Sequence, residues 1–150
     1  MEHGLLGNNV ITQVGIIVAD IEESSAKFAE FFGIDKPDPV VTGSFDEART
    51  RYHGADTEAR AKLAFMDFGS LQVELIEPDG NPSTWREFLD THGEGIHHLA
   101  FVIKGMNDKI AALEATGCRL EQRGEYTGGR YAYIDATGPL KTIVELLEND

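Results

Sequence analysis

The sequence predicts an α+β fold: two tandem βαβββ modules whose strands form one curved, mostly antiparallel sheet. The first observation is internal repetition. Thr12-Gln13-Val14-Gly15-Ile16-Ile17-Val18 lines up with His97-His98-Leu99-Ala100-Phe101-Val102-Ile103, and Lys62-Leu63-Ala64-Phe65-Met66-Asp67 with Arg130-Tyr131-Ala132-Tyr133-Ile134-Asp135. Leu71-Gln72-Val73-Glu74-Leu75-Ile76-Glu77 lines up with Thr142-Ile143-Val144-Glu145-Leu146-Leu147-Glu148, so three matches fall in the same order in both halves. The second observation is that each half reads as strand, helix, then three strands. The third is size: 150 residues with 41% hydrophobic residues can bury a core without disulfide staples.

Residues 1–9 read as a frayed tail, with His3 at the surface. The runs 12–18 and 97–103 are apolar, β-branched and of strand length. After the first, Asp20 with Glu23 three residues on makes a capping-box pattern, and Ile21, Phe28 and Phe32 recur at helical spacing. Gly33 stops that helix as a C′ residue. Met106, Ile110 and Leu113 repeat the pattern in the second half, stopped by Gly117. Strands follow near 38–43, 60–67 and 70–77, and near 118–124, 130–135 and 141–148. The polar segment 44–59 is longer than its counterpart and reads as a loop or lid. Between the halves, Asn81-Pro82 opens a short helix that buries Trp85, Phe88 and Leu89. The division is module one at about 10–78, a linker helix at about 81–92 and module two at about 95–149.

Composition excludes several classes of function. The chain carries 26 Asp and Glu against 13 Lys and Arg, a formal net charge of −13. Nucleic acid and anionic membrane both want a cationic face, so neither is an expected partner. Cys118 is the single cysteine, which removes intrachain disulfides and Cys-rich zinc sites and suggests a reducing cytoplasm. The first residues have no basic stretch followed by an apolar run, so no signal peptide is expected, and no apolar run is long enough for a membrane helix.

The repeat sets chemistry-bearing residues in register. Gln13 corresponds to His98, and Glu74 to Glu145. A carboxylate in the middle of an apolar strand is costly unless it is paired, metal-bound or facing a cavity. Two of them at matching positions suggest one shared site, at which Gln13, Glu74, His98 and Glu145 converge if the sheet curves. This oxygen-rich set with one imidazole suits a borderline-hard divalent metal with open positions for water or substrate. Facing a carbonyl, such a metal acts as a Lewis acid and stabilises an enolate, while a neighbouring carboxylate takes the α-proton. Alternation along the strand turns His97 away from His98, and Glu77 and Glu148 toward solvent. Gly128-Gly129-Arg130 fits either an anion-binding turn or a hairpin turn. Arg49, Arg51, Arg60 and Lys62 form the densest basic stretch, and His53 lies within the polar segment; Arg130, Lys62 and His53 are the candidate substrate contacts.

The duplicated pattern resembles the vicinal oxygen chelate superfamily. The resemblance rests on Gly93-Glu94-Gly95-Ile96-His97-His98-Leu99-Ala100-Phe101, Val73-Glu74-Leu75-Ile76-Glu77-Pro78 and Val144-Glu145-Leu146-Leu147-Glu148, and it spans about residues 10–149. The surrounding sequence is most similar to methylmalonyl-CoA epimerases and their glyoxalase-like relatives. It implies a glyoxalase-like fold in a single domain and metal ligands at Gln13, Glu74, His98 and Glu145. One divalent metal per site (Co, Ni, Zn or Mn), a small carbonyl or thioester substrate and a homodimer go with it. Epimerases of the family carry His at the place of Gln13; Gln there is the pattern of glyoxalase I. Both reactions remove a proton next to a carbonyl and return one elsewhere. Glu145 is the first choice of base and Glu74 the second. A further acid found in the epimerases on the strand before Glu74 aligns with Lys62. Three functions are therefore expected in order: an epimerase of a methylmalonyl-CoA-like thioester, a lyase of a thiol hemithioacetal, and a ligand-sequestering protein of the bleomycin-resistance kind.

Overall fold

The computed structural model describes residues 4–150. His3 lies outside the described residues. Among those described, ten strands form one sheet: β1 (Gln13–Ile17), β2 (Val40–Val41), β3 (Arg51–Tyr52), β4 (Ala55–Asp56), β5 (Ala61–Asp67), β6 (Gln72–Pro78), β7 (Gly95–Val102), β8 (Arg119–Tyr126), β9 (Gly129–Ala136) and β10 (Thr142–Asn149). Their spatial order is β2-β5-β6-β1-β7-β10-β9-β8-β3-β4, curled into a half-barrel. The pairs β1/β6 and β7/β10 are parallel and the rest antiparallel. The helices are α1 (Ile21–Phe32), α2 (Phe45–Ala48), α3 (Thr84–His92) and α4 (Met106–Glu114). None of the described helices is long and apolar enough to cross a membrane.

The repeat read from sequence reappears in strand register. Gly15 lies beside Glu74 in β1/β6, and Ala100 beside Glu145 in β7/β10. Phe65 opposes Glu74, and Tyr133 opposes Glu145. The two halves meet at the antiparallel β1/β7 seam, where Gln13 faces Ala100 and Gly15 faces His98.

Three apolar clusters fix the layers. α1 packs on the convex face of the first half, where Ile21 joins Val18, Ala64, Met66 and Leu75. α4 does the same in the second half through Met106 and Ile110 against Ala132, Ile134, Val144 and Leu146. α3 lies on the concave side, where Trp85, with Phe88 and Leu89, packs on Ile17, Ile76 and Tyr133. Burying a large apolar side chain of this kind contributes roughly 1.5–3 kcal/mol.

The caps follow the sequence in part. Asp20 accepts from the Glu23 N–H, and Gly33 takes the left-handed conformation (φ 65°) that ends α1. α3 is capped by Ser83, which accepts from the Arg86 N–H, and not by Asn81. The N-terminal segment is not frayed throughout: Leu6 packs on the second-half core and Asn8 donates to the carbonyl of Val102. Segment 44–59 is no simple loop. It holds α2 and the β3/β4 hairpin, and β3 pairs with β8 of the other half.

Glu77 and Glu148 do not simply face solvent. Glu77 accepts from the Ile21 N–H at the start of α1, and Glu148 from Gly105 and Met106 at the start of α4. Alternation turned both away from the concave face, as expected, but on the convex face that they reach each meets a helix N-terminus, which attracts carboxylates.

Candidate metal centre and cavity

Two rows of residues cross the floor of the half-barrel. One runs Glu74–Gly15–His98–Ile143 and the other Gln72–Gln13–Ala100–Glu145. The small residues Gly15 and Ala100 leave room between the longer side chains. The structure therefore brings Gln13, Glu74, His98 and Glu145 together, all from one chain and all buried (6%, 7%, 0% and 5% exposed). Oε1 of Gln13 lies 3.0 Å from Nε2 of His98, Oε2 of Glu145 lies 2.9 Å from it, and Oε1 of Glu74 lies 3.7 Å from it.

Three oxygens thus converge on one nitrogen, which can satisfy one of them. Oε1 of Glu74 and Oε2 of Glu145 are buried without a hydrogen-bond partner. The 2.9 Å approach to Glu145 is close but lacks hydrogen-bond direction. Burial pushes Glu74 well above the usual carboxylate range, helped by the charge of Glu145. Burial likewise pushes Glu145 up to about 8, opposed by Tyr133, and pushes His98 down to about 3. Desolvation outweighs mutual attraction here, so in the chain alone burial favours the neutral form of each group over an ion pair.

Glu74, His98 and Glu145 offer three ligand atoms within 4.8 Å of one another, and the Gln13 carbonyl points at the same place. Buried, unpartnered carboxylate oxygens beside an imidazole are what a divalent cation resolves, so these residues could hold one. Gln72 was not singled out from sequence, since its repeat partner is Ile143. Its Oε1 accepts from Nε2 of Gln13 at 2.7 Å, which turns the Gln13 oxygen inward.

The centre opens into a cavity of about 830 Å³ lined by both halves, including Leu63, Phe65, Tyr131 and Tyr133. Glu47, Ala48 and Thr50 supply the wall contributed by the crossing segment, beside Thr42. Tyr133, beside Glu145 in register, accepts from Nε1 of Trp85 at 3.1 Å.

The three candidate substrate contacts fare differently. Arg130 lines the cavity, but its guanidinium is held by Glu148 at 3.0 Å and by Asp150. Lys62 sits 4.0 Å from Glu77 on the face that carries α1, outside the cavity; it does not occupy a position for an acid at the centre. The two pairs are repeat equivalents. His53 is also outside the cavity lining: its Nε2 meets Glu121, and its ring stacks on Tyr52. Of the basic stretch, Arg60 alone lines the cavity, while Arg51 pairs with Asp56 and Arg49 lies over the Phe45 ring. Gly128 falls in the two-residue turn between β8 and β9, so the Gly-Gly-Arg run forms a hairpin.

His97 is the other departure. Register shifts between Gly15 and Ile16: Gly15 pairs with His98 and Ile16 with Ile96, so His97 is the unpaired residue of a β-bulge. The bulge turns His97 inward, where its Nδ1 lies 2.9 Å from Nδ1 of His98.

Comparison with known proteins completes the description. A sequence profile of the Glyoxalase/Bleomycin resistance protein/Dioxygenase superfamily matches residues 12–133. The chain is 33% identical over 94 residues to the uncharacterized protein YqjC of Bacillus subtilis (strain 168), spanning 61% of this chain and 67% of that one. It is 25% identical over 118 residues to the mitochondrial methylmalonyl-CoA epimerase of Dictyostelium discoideum, spanning 78% of this chain and 63% of that protein. The crystal structure of methylmalonyl-CoA epimerase from Mycobacterium tuberculosis shares the fold, with a TM-score of 0.60, 22% identity and coverage of 100% of this chain and 96% of that one.

Proposed function

The chain belongs to the Glyoxalase/Bleomycin resistance protein/Dioxygenase superfamily, and from that premise we propose a divalent-metal-dependent enzyme that moves a proton on a carbon next to a carbonyl. The substrate class is an acyl thioester of the methylmalonyl-CoA kind. The observation that carries the reading is the pair of buried carboxylate oxygens, Glu74 Oε1 and Glu145 Oε2, unpartnered and aimed at Nε2 of His98 beneath a cavity.

Gln13, Glu74, His98 and Glu145 would hold the ion, one of Co, Ni, Zn or Mn. When bound, it supplies Lewis acidity that polarises the carbonyl and favours negative charge on its oxygen. Ionised Glu145 takes the α-proton: burial raises its pKa to about 8, which makes the carboxylate a stronger base, and it lies beside Tyr133. Glu74, from the other half, faces the same point from the opposite side and returns a proton there. That arrangement suits inversion at carbon. Leu63, Phe65 and Tyr131 give the cavity beside the reacting end an apolar and aromatic wall.

One observation favours a second reading. Gln13 supplies an amide oxygen where epimerases of the family carry His, as glyoxalase-I-type lyases do. Deuterium uptake decides between them. Methylmalonyl-CoA incubated in heavy water with the metal-loaded protein should gain deuterium at the α-carbon. No uptake, with thiol-dependent loss of methylglyoxal in its place, would move the assignment to the lyase. A protein holding no metal, and binding ligands unchanged after Glu74→Ala and Glu145→Ala together, would be a sequestering protein.

A further inference from the structure

We propose that His97 is a positioning residue: its imidazole satisfies Nδ1 of His98 in either neutral tautomer, so that His98 can turn an Nε2 lone pair toward the oxygen cluster without stranding a buried polar atom. The inference rests on the reading of His98 as a metal ligand.

His97 is 1% exposed, and the β-bulge in β7 places it against His98. A bulge next to a functional centre re-aims a side chain that plain alternation would turn away. The ring is fixed on several sides. Phe88 and Tyr133 each meet it edge to face at 5.2 Å, and its Nε2 lies 3.1 Å from Oγ1 of Thr84. Thr84 is fixed in turn, because its N–H donates to Oε1 of Gln122 at 2.9 Å. The chain Thr84–His97–His98–Gln13 is therefore a continuous row of polar atoms at hydrogen-bond spacing, running from the start of α3 to the centre.

A neutral imidazole has one N–H and one lone pair. The two Nδ1 atoms, 2.9 Å apart, share one proton, and this leaves two arrangements. In the first, His98 Nε2–H donates to Gln13 Oε1, His97 Nδ1–H donates to His98 Nδ1, and the Thr84 hydroxyl donates to His97 Nε2. In the second, His98 Nδ1–H donates to His97 Nδ1, His97 Nε2–H donates to Thr84 Oγ1, and His98 Nε2 presents a lone pair. Each ring carries one N–H in both. The shared proton crosses from one Nδ1 to the other, and the proton lost at His98 Nε2 is matched by one gained at His97 Nε2. The oxygens around His98 Nε2 favour the first arrangement in the chain alone, and a cation among them favours the second. A carbonyl or carboxylate in the place of His97 accepts only, and would serve one arrangement while opposing the other.

Long-range 1H–15N NMR of the imidazoles tests this on the metal-free and the zinc-loaded protein. The expected result is Nε2–H on His98 and Nδ1–H on His97 without zinc, with both reversed on loading. The His97→Phe variant should bind zinc 10–100-fold more weakly, as loss of a partner behind a ligand commonly does. A His97 tautomer unmoved by zinc, or an H97F variant with parental affinity, overturns the proposal. A parent protein that takes up none of zinc, cobalt, nickel and manganese overturns the metal reading itself. The spectra of the parent decide the question even if H97F fails to fold.

Discussion

The imidazole of His98 occupies the space that a side chain on Gly15 would need. A Cβ built on Gly15 would lie 2.0 Å from Cε1 of His98 and 2.5 Å from both ring nitrogens. These residues face each other across the β1/β7 seam. The ring is thus laid over the neighbouring strand, with Nε2 directed at the carboxylates. Gly15→Ala should displace the ring, cost about 1–3 kcal/mol in overpacking, and weaken metal binding more than Ala100→Gly does. Thermal unfolding and a zinc titration of both variants check this.

Removal of one buried carboxylate should separate stability from metal binding. Two acids forced together out of water oppose folding when either is ionised. Glu145→Gln is expected to melt at or above the parent temperature at pH 8 without metal, yet to lose stoichiometric metal. Elemental analysis beside a chelator-treated melt gives both numbers. A parental metal content in E145Q would remove Glu145 from the ligand set.

The metal-free protein should lose stability as pH rises from about 6.5 to about 8. Glu145 has its folded pKa raised to about 8, above the unfolded value of about 4.3. Its contribution is full below the unfolded value and is lost as pH climbs through the folded one. His98 is lowered to about 3, so its effect runs the other way and ends near its unfolded value of about 6.5. Above that only the carboxyls act, Glu145 at about 1.4 kcal/mol per pH unit, with Glu74 adding in the same sense. Melts in chelator across this range should fall, and the slope should shrink in E145Q.

The helix caps offered by Glu77 and Glu148 predict a paired effect. Each carboxylate ends on backbone N–H groups at the first turn of α1 or α4. Glu148→Ala should lower stability, and Glu77→Ala should lower it less, since Glu77 accepts one such bond. Denaturant midpoints measure this, while metal content should be unchanged in both.

Lys62→Ala should leave the KM for a thioester substrate unchanged, whereas Arg60→Ala should raise it. Arg60 faces the cavity and Lys62 lies on the opposite face of its strand. Steady-state kinetics at two salt concentrations would show it, with the Arg60 effect larger at low salt.

The sequence carried the duplication, the α1 cap and the four converging residues, because each is a local pattern repeated at a fixed interval. What it did not carry depends on geometry between strands. The bulge at His97 leaves no mark in composition, so alternation turned that ring the wrong way. Gln72 has no polar counterpart in the other half, so symmetry passed over it. Arg130, Lys62 and His53 looked available as free cationic or polar groups. Their partners Glu148, Glu77 and Glu121 are distant in sequence and close only across paired strands or through a crossing hairpin.

The seam between β1 and β7 has a kinetic consequence. Each half supplies two of the four converging groups: Gln13 and Glu74 from one, His98 and Glu145 from the other. An ion held by all four would be a crosslink between the halves, fastened after folding through the cavity and broken when the seam opens. Opening the seam then costs the ion's bonds as well as the strand pairing, so the loaded protein should unfold more slowly on heating than the same protein stripped by chelator.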